Sequence, residues 1–505
     1  MRILRILCVL AIAGTVAMAQ TNATNTVRQL SLQDCIQLAL QHNLDLQIDR
    51  YNPQIALFNL RGDYGAYDPS FSLSGQHDHN EAGSQILAGG FIIPGSISDD
   101  NSFSGGLTGA TPIGTTYSLQ GNTRDQYGQS FGLDTNGLIA RPFENSGASA
   151  SISATQPLLK NLWIDNNRLV IRIARNRLKY SELTLRLQIM QTITTLEQAY
   201  YDLIYNRENV IVQQKAVELA ERLVMENRKR LEVGALAPLD LQSAEAQAAS
   251  TRAAVIAANS QLGTQERLLK SLITDAYANE WANVGIEPGA KLMAPAPVVN
   301  LQDSWSKGLA QRPELLQAKL DVERQGIQLK YDKNQLWPEL DVFGTYGFNG
   351  SGKEFSSALG DFQTTDRPFY TYGGKIIVPL ANVRARNSYK ADKANMQQFV
   401  LTLKQLEQNI MIQIDNDIGT IQANYDQVQA TRAAREYEEA ALDAEQKKLE
   451  SGKSTTYTVL QVQRDLTTAR GNEIQALDTY NKSLSQLSLH EGSTLDRLNI
   501  TLETK

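Results

Sequence analysis

Cysteine and histidine are almost absent: the 505-residue chain has two of the first and four of the second. Cys8 falls inside an N-terminal apolar run, which leaves Cys35 as the sole cysteine after it. Beyond that run the chain has no intramolecular disulfide to lean on and must hold together by packing. Among His42, His77, His79 and His490, only His77 and His79 lie close together. They occupy a polar strand-to-loop segment with no nearby cysteine, so a solvated loop is expected there rather than a metal site. The carboxylates are scattered, and Asp99-Asp100 reads as a loop pair. No His-Glu-x-x-His, no Gly-x-Ser-x-Gly and no phosphate-cradling glycine loop with lysine occurs. These absences argue against an enzyme and leave no catalytic, metal-binding or cofactor-binding residue to nominate.

Long apolar runs are missing too, apart from the N-terminal one. A membrane-crossing helix is thereby excluded, but a β-barrel is not, because its strands alternate and never make such a run. Basic excess is also missing: 48 Lys and Arg stand against 54 Asp and Glu, a net charge of -6. Arg2 and Arg5, the apolar stretch Ile6 to Val16 and the small residues around Ala17-Met18-Ala19 form a secretory signal peptide, residues 1–19. A buried N-terminal helix is the alternative. Removing 1–19 takes away two arginines and leaves 46 basic against 54 acidic residues, or -8. No nucleic-acid partner is expected from that balance, which suits a soluble surface and a wet lumen equally well.

What the chain does have is two very long helical stretches, about 160–233 and 380–451. Each follows a strand-like segment ending in Pro-Leu, and each stops at Leu-x-x-Gly. Pro157 and Pro379 lie 222 positions apart, Gly234 and Gly452 218 apart. So constant an offset signals duplication of one structural unit. At ~1.5 Å per residue such a helix reaches on the order of 110 Å, too long for a small domain to bury. Leu185, Ile189, Ile193, Leu196, Tyr200, Leu203 and Val210 recur every three or four residues, with one longer gap, as a core-facing stripe. Each helix then turns and returns. Gly234 permits the first turn, Pro238 suits the start of the next helix, and Asp240 favours its N-terminal end. Gly452 plays the same part in the second turn, followed by Ser454 to Thr456 as caps.

Between the helices lie segments with two-residue alternation. In the first half these are PSFSLSGQHDH, SFSGGLTGA, TTYSLQGN and ASASISAT, preceded by a helical region over Ser31 to Asp63. In the second half a helix over Leu315 to Asn334 leads to ELDVFGTYGFNG, a polar loop at 350–368, and FYTYGGKIIVPL. Leu340, Val342, Tyr346 and Phe348 share one parity, as do Tyr370, Tyr372, Ile376 and Val378. Aromatics near strand ends on an apolar face fit a membrane barrel's girdle, although a soluble sandwich shows the same alternation.

The run QRPELLQAKLDVERQGIQLKYDKNQLWPELDVFGTYG resembles the second-repeat signature of the TolC-type outer membrane efflux proteins. TQPLLKN and IIVPLAN resemble the family's returning strands. RLEVGALAPLDLQSAEAQ and KLESGKSTTYTVLQVQRDL resemble its two helical tips. The similarity covers roughly residues 30–490. It implies a mixed α/β membrane protein with two internal repeats, a long-helix α-barrel continuous with a trimeric 12-stranded outer-membrane β-barrel. It also implies a homotrimer in outer-membrane lipid, joined to a periplasmic membrane-fusion adaptor and an inner-membrane pump or ABC exporter. Leu231, Gly234, Leu449, Gly452 and Lys453 fall at the tips that would meet the adaptor. Asp240 matches an aspartate that holds the entrance shut, but its arginine partner falls at Ser454, and the acidic ring falls at the neutral Thr458 and Gln461. Leu449, Tyr457 and Leu460 are then the side chains expected to narrow the entrance.

The expected organisation is a first repeat at 20–271 with strands in 70–156, an equatorial connector at 272–311 with a small helix at Leu301 to Ala310, a second repeat at 312–490 and a C-terminal tail at 491–505. The extra hairpin at 103–121 either adds strands to the barrel or lies outside it; because the family uses four strands per chain, the external hairpin is the expectation. The expected function is an exit duct for efflux or type I secretion. The alternative is an exported coiled-coil stalk or adhesin without transport.

Overall fold

The computed structural model describes residues 26–500, apart from 88, 135, 136, 235 and 365. The signal peptide expected at 1–19 lies outside the described residues. A short strand, β1 (Thr26–Leu30), leads into three helices, α1 (Leu32–His42), α2 (Leu44–Asp49) and α3 (Tyr51–Asp63). Pro53 is the third residue of α3, where its missing N–H costs no intrahelical bond. Then come β2 (Ser70–Glu81), the two-residue pair β3 (Gln85–Ile86) and β4 (Ile92–Ile93), β5 (Ile97–Ala110), β6 (Thr116–Asp134) and β7 (Gly137–Pro157). The first long helix, α4 (Asn166–Glu232), precedes α5 (Pro238–Ile273), β8 (Val284–Pro288), α6 (Leu301–Gln311) and α7 (Pro313–Asn334). The second half runs β9 (Glu339–Gly352), α8 (Phe355–Thr364), β10 (Pro368–Ile377), α9 (Val383–Glu450), α10 (Thr456–Glu491) and α11 (Thr494–Arg497). At 67 and 68 residues, α4 and α9 are each ~100 Å long. Among the described residues no helix is long and apolar enough to cross a membrane.

The chain divides into two compact units. Of the described residues, one comprises 26–47, Thr192–Val298 and Gly419–Gln486. In it the predicted stripe is buried: Ile193, Leu196, Tyr200 and Leu203 are at most 1% exposed. The Tyr200 hydroxyl, deep in this core, donates to Leu30 O at 3.0 Å. β1 pairs with β8 in parallel, a two-stranded element that neither segment advertises in its sequence. Lys482 bridges Asp202 and Asp478 at 2.6 and 2.7 Å, an ion triad linking α4 and α10.

The duplication extends to side chains in this unit. Arg252 pairs with Glu221 at 2.6 Å, and Arg470 pairs with Glu439 at 2.7 Å. Each member of the second pair lies 218 positions after its counterpart (252 to 470, 221 to 439), the same step that separates Gly234 from Gly452. Each pair ties an outgoing long helix to its return helix.

The other unit comprises, of the described residues, Ile48–Gln191, Val299–Ile418 and 487–500. Its centre is one antiparallel sheet of six strands in the order β10-β9-β7-β6-β5-β2. Here the structure corrects three expectations. The 103–121 segment is no external hairpin: β5 and β6 lie inside the sheet, between β2 and β7. The chain therefore carries six strands in this sheet rather than four, and the twelve-stranded barrel does not follow. Asp99-Asp100 is strand rather than loop, since both residues belong to β5. The expected polar loop at 350–368 contains the helix α8, whose Ala358 is 1% exposed. Gly350 and Gly352 make room for it, because a Cβ at either would collide with Ala358.

The two strand-to-helix junctions repeat as well. Asn161 and Asn382 both sit at positive φ, 66° and 42°, a region asparagine tolerates better than most residues. Asn161 N donates to Asn334 Oδ1 at 2.7 Å, and Asn382 Nδ2 donates to Leu336 O at 3.3 Å. The β5–β6 turn packs onto the first junction, with Gly114 within contact of Pro157 and Asn161.

Candidate functional site

Two features of the fold carry function: the faces of the sheet and the turns of the long helical hairpins. On the sheet, strand pairing aligns Phe71, Leu107, Leu119, Ile152, Tyr346 and Tyr370 in one row, one residue from each of the six strands. The next row is Ser70, Thr108, Ser118, Ser153, Thr345 and Thr371, a hydroxyl on every strand. Successive residues of a strand face opposite sides. One face is therefore an apolar belt and the other a hydroxyl-lined surface. Ser70 bonds Thr108 and Ser118 bonds Ser153 across it, at 2.8 and 2.6 Å.

The belt is bare. Phe71 is 73% exposed, Tyr370 71% and Tyr372 82%. Large apolar side chains at that exposure are stable only against another apolar surface. The belt reaches from Leu340 to Phe348 along β9, about the nine to eleven residues that a tilted strand needs to cross the hydrocarbon layer. Beyond it β2 turns polar on both faces, and polar pairs bridge the neighbouring strands. His79 Nδ1 lies 2.6 Å from Asp99, His77 Nδ1 lies 2.8 Å from Asn101, and Arg124 Nε donates to Asp100 at 2.7 Å. The pair His77 and His79 is accordingly part of a strand ladder. Among the described residues no cluster of three or more His, Cys, Asp or Glu could hold a metal.

At the helical turns, Gly234 and Gly452 adopt positive φ of 73° and 72°. Gly234 N donates to Leu231 O at 2.9 Å and Gly452 N to Leu449 O at 3.1 Å; Lys453 N completes the second turn on Lys448 O at 2.8 Å. That pattern closes a helix only where the residue past its end adopts the left-handed conformation. Thr455 then caps α10, accepting from Thr458 N at 3.3 Å.

The nominated side chains separate sharply by exposure. Leu449 and Leu460 are 6% and 5% exposed, packed with Leu223, Leu442, Val459 and Leu466. They belong to the buried core of the tip. Tyr457 is 67% exposed, and Gln461 lies on the same exposed face one turn later, with Thr458 half-buried beside it. Asp240 is half-buried and makes no ion pair with another described residue. Ser454 is brought to Glu445 instead, donating its hydroxyl to that carboxylate, while Lys448 Nζ sits 2.9 Å from the other oxygen. The Ser454 hydroxyl, and then Lys448, hold the Glu445 carboxyl below the usual carboxylate range. Sequence reasoning missed Glu445 because nine residues and a turn separate it from Ser454. It also missed Arg230, whose Nη1 donates to Leu449 O at 3.2 Å and so joins the two tips. Val233 and Leu239 are likewise new, leaving apolar side chains 78% and 71% exposed beside Gly234.

An antiparallel sheet with an apolar belt on one face and hydroxyls on the other, combined with duplicated long helices, defines an outer-membrane channel fold. The family model described as outer membrane efflux protein matches residues 113–274 and 305–493, and the chain belongs to that family. Solved structures agree on the fold. A membrane protein from Pseudomonas aeruginosa is 15% identical with a TM-score of 0.67, covering 96% of each chain. The VceC outer membrane protein of Vibrio cholerae is 16% identical with a TM-score of 0.65, covering 91% of this chain and 96% of that one. The CmeC outer membrane channel of Campylobacter jejuni is 15% identical with a TM-score of 0.64, covering 92% of this chain and 86% of that one. No curated protein matches the sequence at the stringency that returns those structures. The chain is thus an efflux protein of the outer membrane, a family that is not enzymatic.

Proposed function

We propose that this protein is the passive exit duct of a tripartite efflux assembly. Three copies close their sheets into one barrel, and their helical hairpins line the periplasmic part of the duct. A membrane-fusion adaptor docks on the tips, and an inner-membrane pump or exporter supplies the energy. The observation that carries this reading is the paired rows of the sheet, one wholly apolar and one wholly hydroxyl. Such a surface needs lipid on one side and water on the other.

The tip residues support the docking step. Leu231, Gly234, Gly452 and Lys453 form the two turns, and the exposed Val233 and Leu239 add an apolar contact for the adaptor. Tyr457 and Gln461 on α10 are the gating candidates that stay exposed, with Thr458 beside them, and Asp240 at the start of α5 is a further candidate. The α10 candidates Tyr457, Thr458 and Gln461 are neutral, so narrowing there is by bulk rather than by a ring of carboxylates.

Deleting the gene should raise cellular accumulation of at least one toxic compound, and restoring it should reverse the effect. Cysteines introduced at Val233 or Lys453 should cross-link to an adaptor in cells. A deletion strain that accumulates nothing more, across a broad compound panel and with no change in secreted polypeptides, would refute the transport reading and favour a stalk.

A further inference from the structure

We propose that β5 and β6 are full wall strands, so that three copies close an eighteen-stranded barrel, β10 of each copy pairing with β2 of the next. The copy number rests on the trimeric reading above; the strand count per copy rests on the sheet alone.

Three observations place β5 and β6 in the wall. They sit in the middle of the pairing order, each bonded along its length to a neighbour on both sides. They contribute Leu107 and Leu119 to the apolar row and Thr108 and Ser118 to the hydroxyl row, at the same level as the other four strands. Their connecting turn lies against Pro157 and Asn161, where β7 passes into α4. A hairpin folded away from the wall would share none of these.

The edges identify the partner. Among the described residues β2 and β10 each leave one side unpaired, and unpaired backbone groups cannot face hydrocarbon. Because the strands alternate and number six, β2 and β10 run in opposite directions. A second copy added to either edge therefore makes an antiparallel pair and continues the ring. Both edges also carry the belt outward, Phe71 and Leu73 on β2 and Tyr370 and Tyr372 on β10. The occupant of each edge is another copy of this chain.

The consequence is calibre. With strands spaced ~4.8 Å apart and tilted ~40°, each adds ~6 Å of circumference, so eighteen enclose a diameter of ~36 Å where twelve would enclose ~24 Å. At belt level the hydroxyl row Ser70, Thr108, Ser118, Ser153, Thr345 and Thr371 faces this bore. Such a mouth passes solvated cargo wider than a small drug-like molecule, and size selection falls to the periplasmic tips.

Electron cryo-microscopy of the full-length protein in lipid nanodiscs counts copies and strands independently. Three copies with eighteen wall strands are expected. Three copies with twelve strands and the 97–134 segment off the wall would overturn the inference and leave the duct reading intact. Six strands per copy at another copy number would overturn the trimeric reading and the eighteen-strand calibre together. A variant lacking 97–134 provides the second arm: its barrel should narrow by about one third, in proportion to strand number. An unchanged diameter in an assembled variant would also overturn the inference.

Discussion

Replacing Asp332 with asparagine should make the protein more stable at neutral pH, against the usual effect of altering a buried polar residue. Asp332, near the end of α7, is 7% exposed. Burial first, and then the neighbouring Asp392 carboxylate of α9, push it up to about 6. Asp392 moves the other way, held down by its hydrogen bond to Asp332. Gln325 donates to Asp392 at 3.0 Å, and Gln328 donates to Asp332 at 3.3 Å. One proton is shared between the two carboxyls. Between about pH 4 and 6 the folded chain holds that proton while the unfolded chain has released it. Folded protein binds more protons in this window, so stability falls as pH rises through it. A rise of about two pH units corresponds to roughly 3 kcal/mol, lost by pH 7. An Asp332→Asn side chain donates its amide to Asp392 at every pH and removes the loss. Denaturant unfolding of the detergent-purified protein, followed by tryptophan fluorescence from pH 4 to 8, measures this. Wild type should weaken above pH 4 and the variant should not, giving it up to about 3 kcal/mol at pH 7. Asp332→Asn less stable than wild type at pH 7, or a flat wild-type profile, would refute the reasoning.

Gly452→Val places a β-branched residue at a φ of 72°, a strain of about 1–2 kcal/mol, and should lower the thermal midpoint and weaken adaptor cross-linking. Ile152→Arg puts a charge on the apolar belt, where such residues cost about 2–4 kcal/mol near the bilayer midplane. Its yield in the outer-membrane fraction should drop, whereas Ser153→Arg, on the opposite face, should assemble. Cys35 is fully buried, and burial pushes its thiol up to about 12. Maleimide should leave it unlabelled in native protein and label it completely in denaturant.

The long helices, their glycine turns and the Pro-Leu strand exits were legible because local chemistry dictates each; the asparagines at positive φ that follow those exits were not read. Gly234 and Gly452 occupy a conformation that few other residues tolerate, and the stripe from Ile189 to Leu203 repeats at the helical period. The extra strands were harder to see. Alternation marks a strand only where its faces meet different surroundings, and beyond the belt β5 and β6 carry polar residues on both faces. Asp99, Asp100, Arg124 and Asp125 therefore resemble loop residues although the pairing runs through them. α8 was hidden for another reason: its one buried side chain, Ala358, packs against glycines that carry no pattern. At the tips, the turns could be read from sequence, but which side of α10 faces inward could not. Packing of the return helix decides that Leu460 is core and Tyr457 is surface, and the same packing brings Ser454 to Glu445.

Single-channel recording in planar lipid bilayers tests the central claim most directly, namely that copies of this sheet enclose water across a membrane. Purified protein should insert and give discrete, long-lived conductance steps, and Tyr457→Ala should enlarge them by opening the entrance. Protein that inserts, remains folded and carries no current in either form would contradict the account.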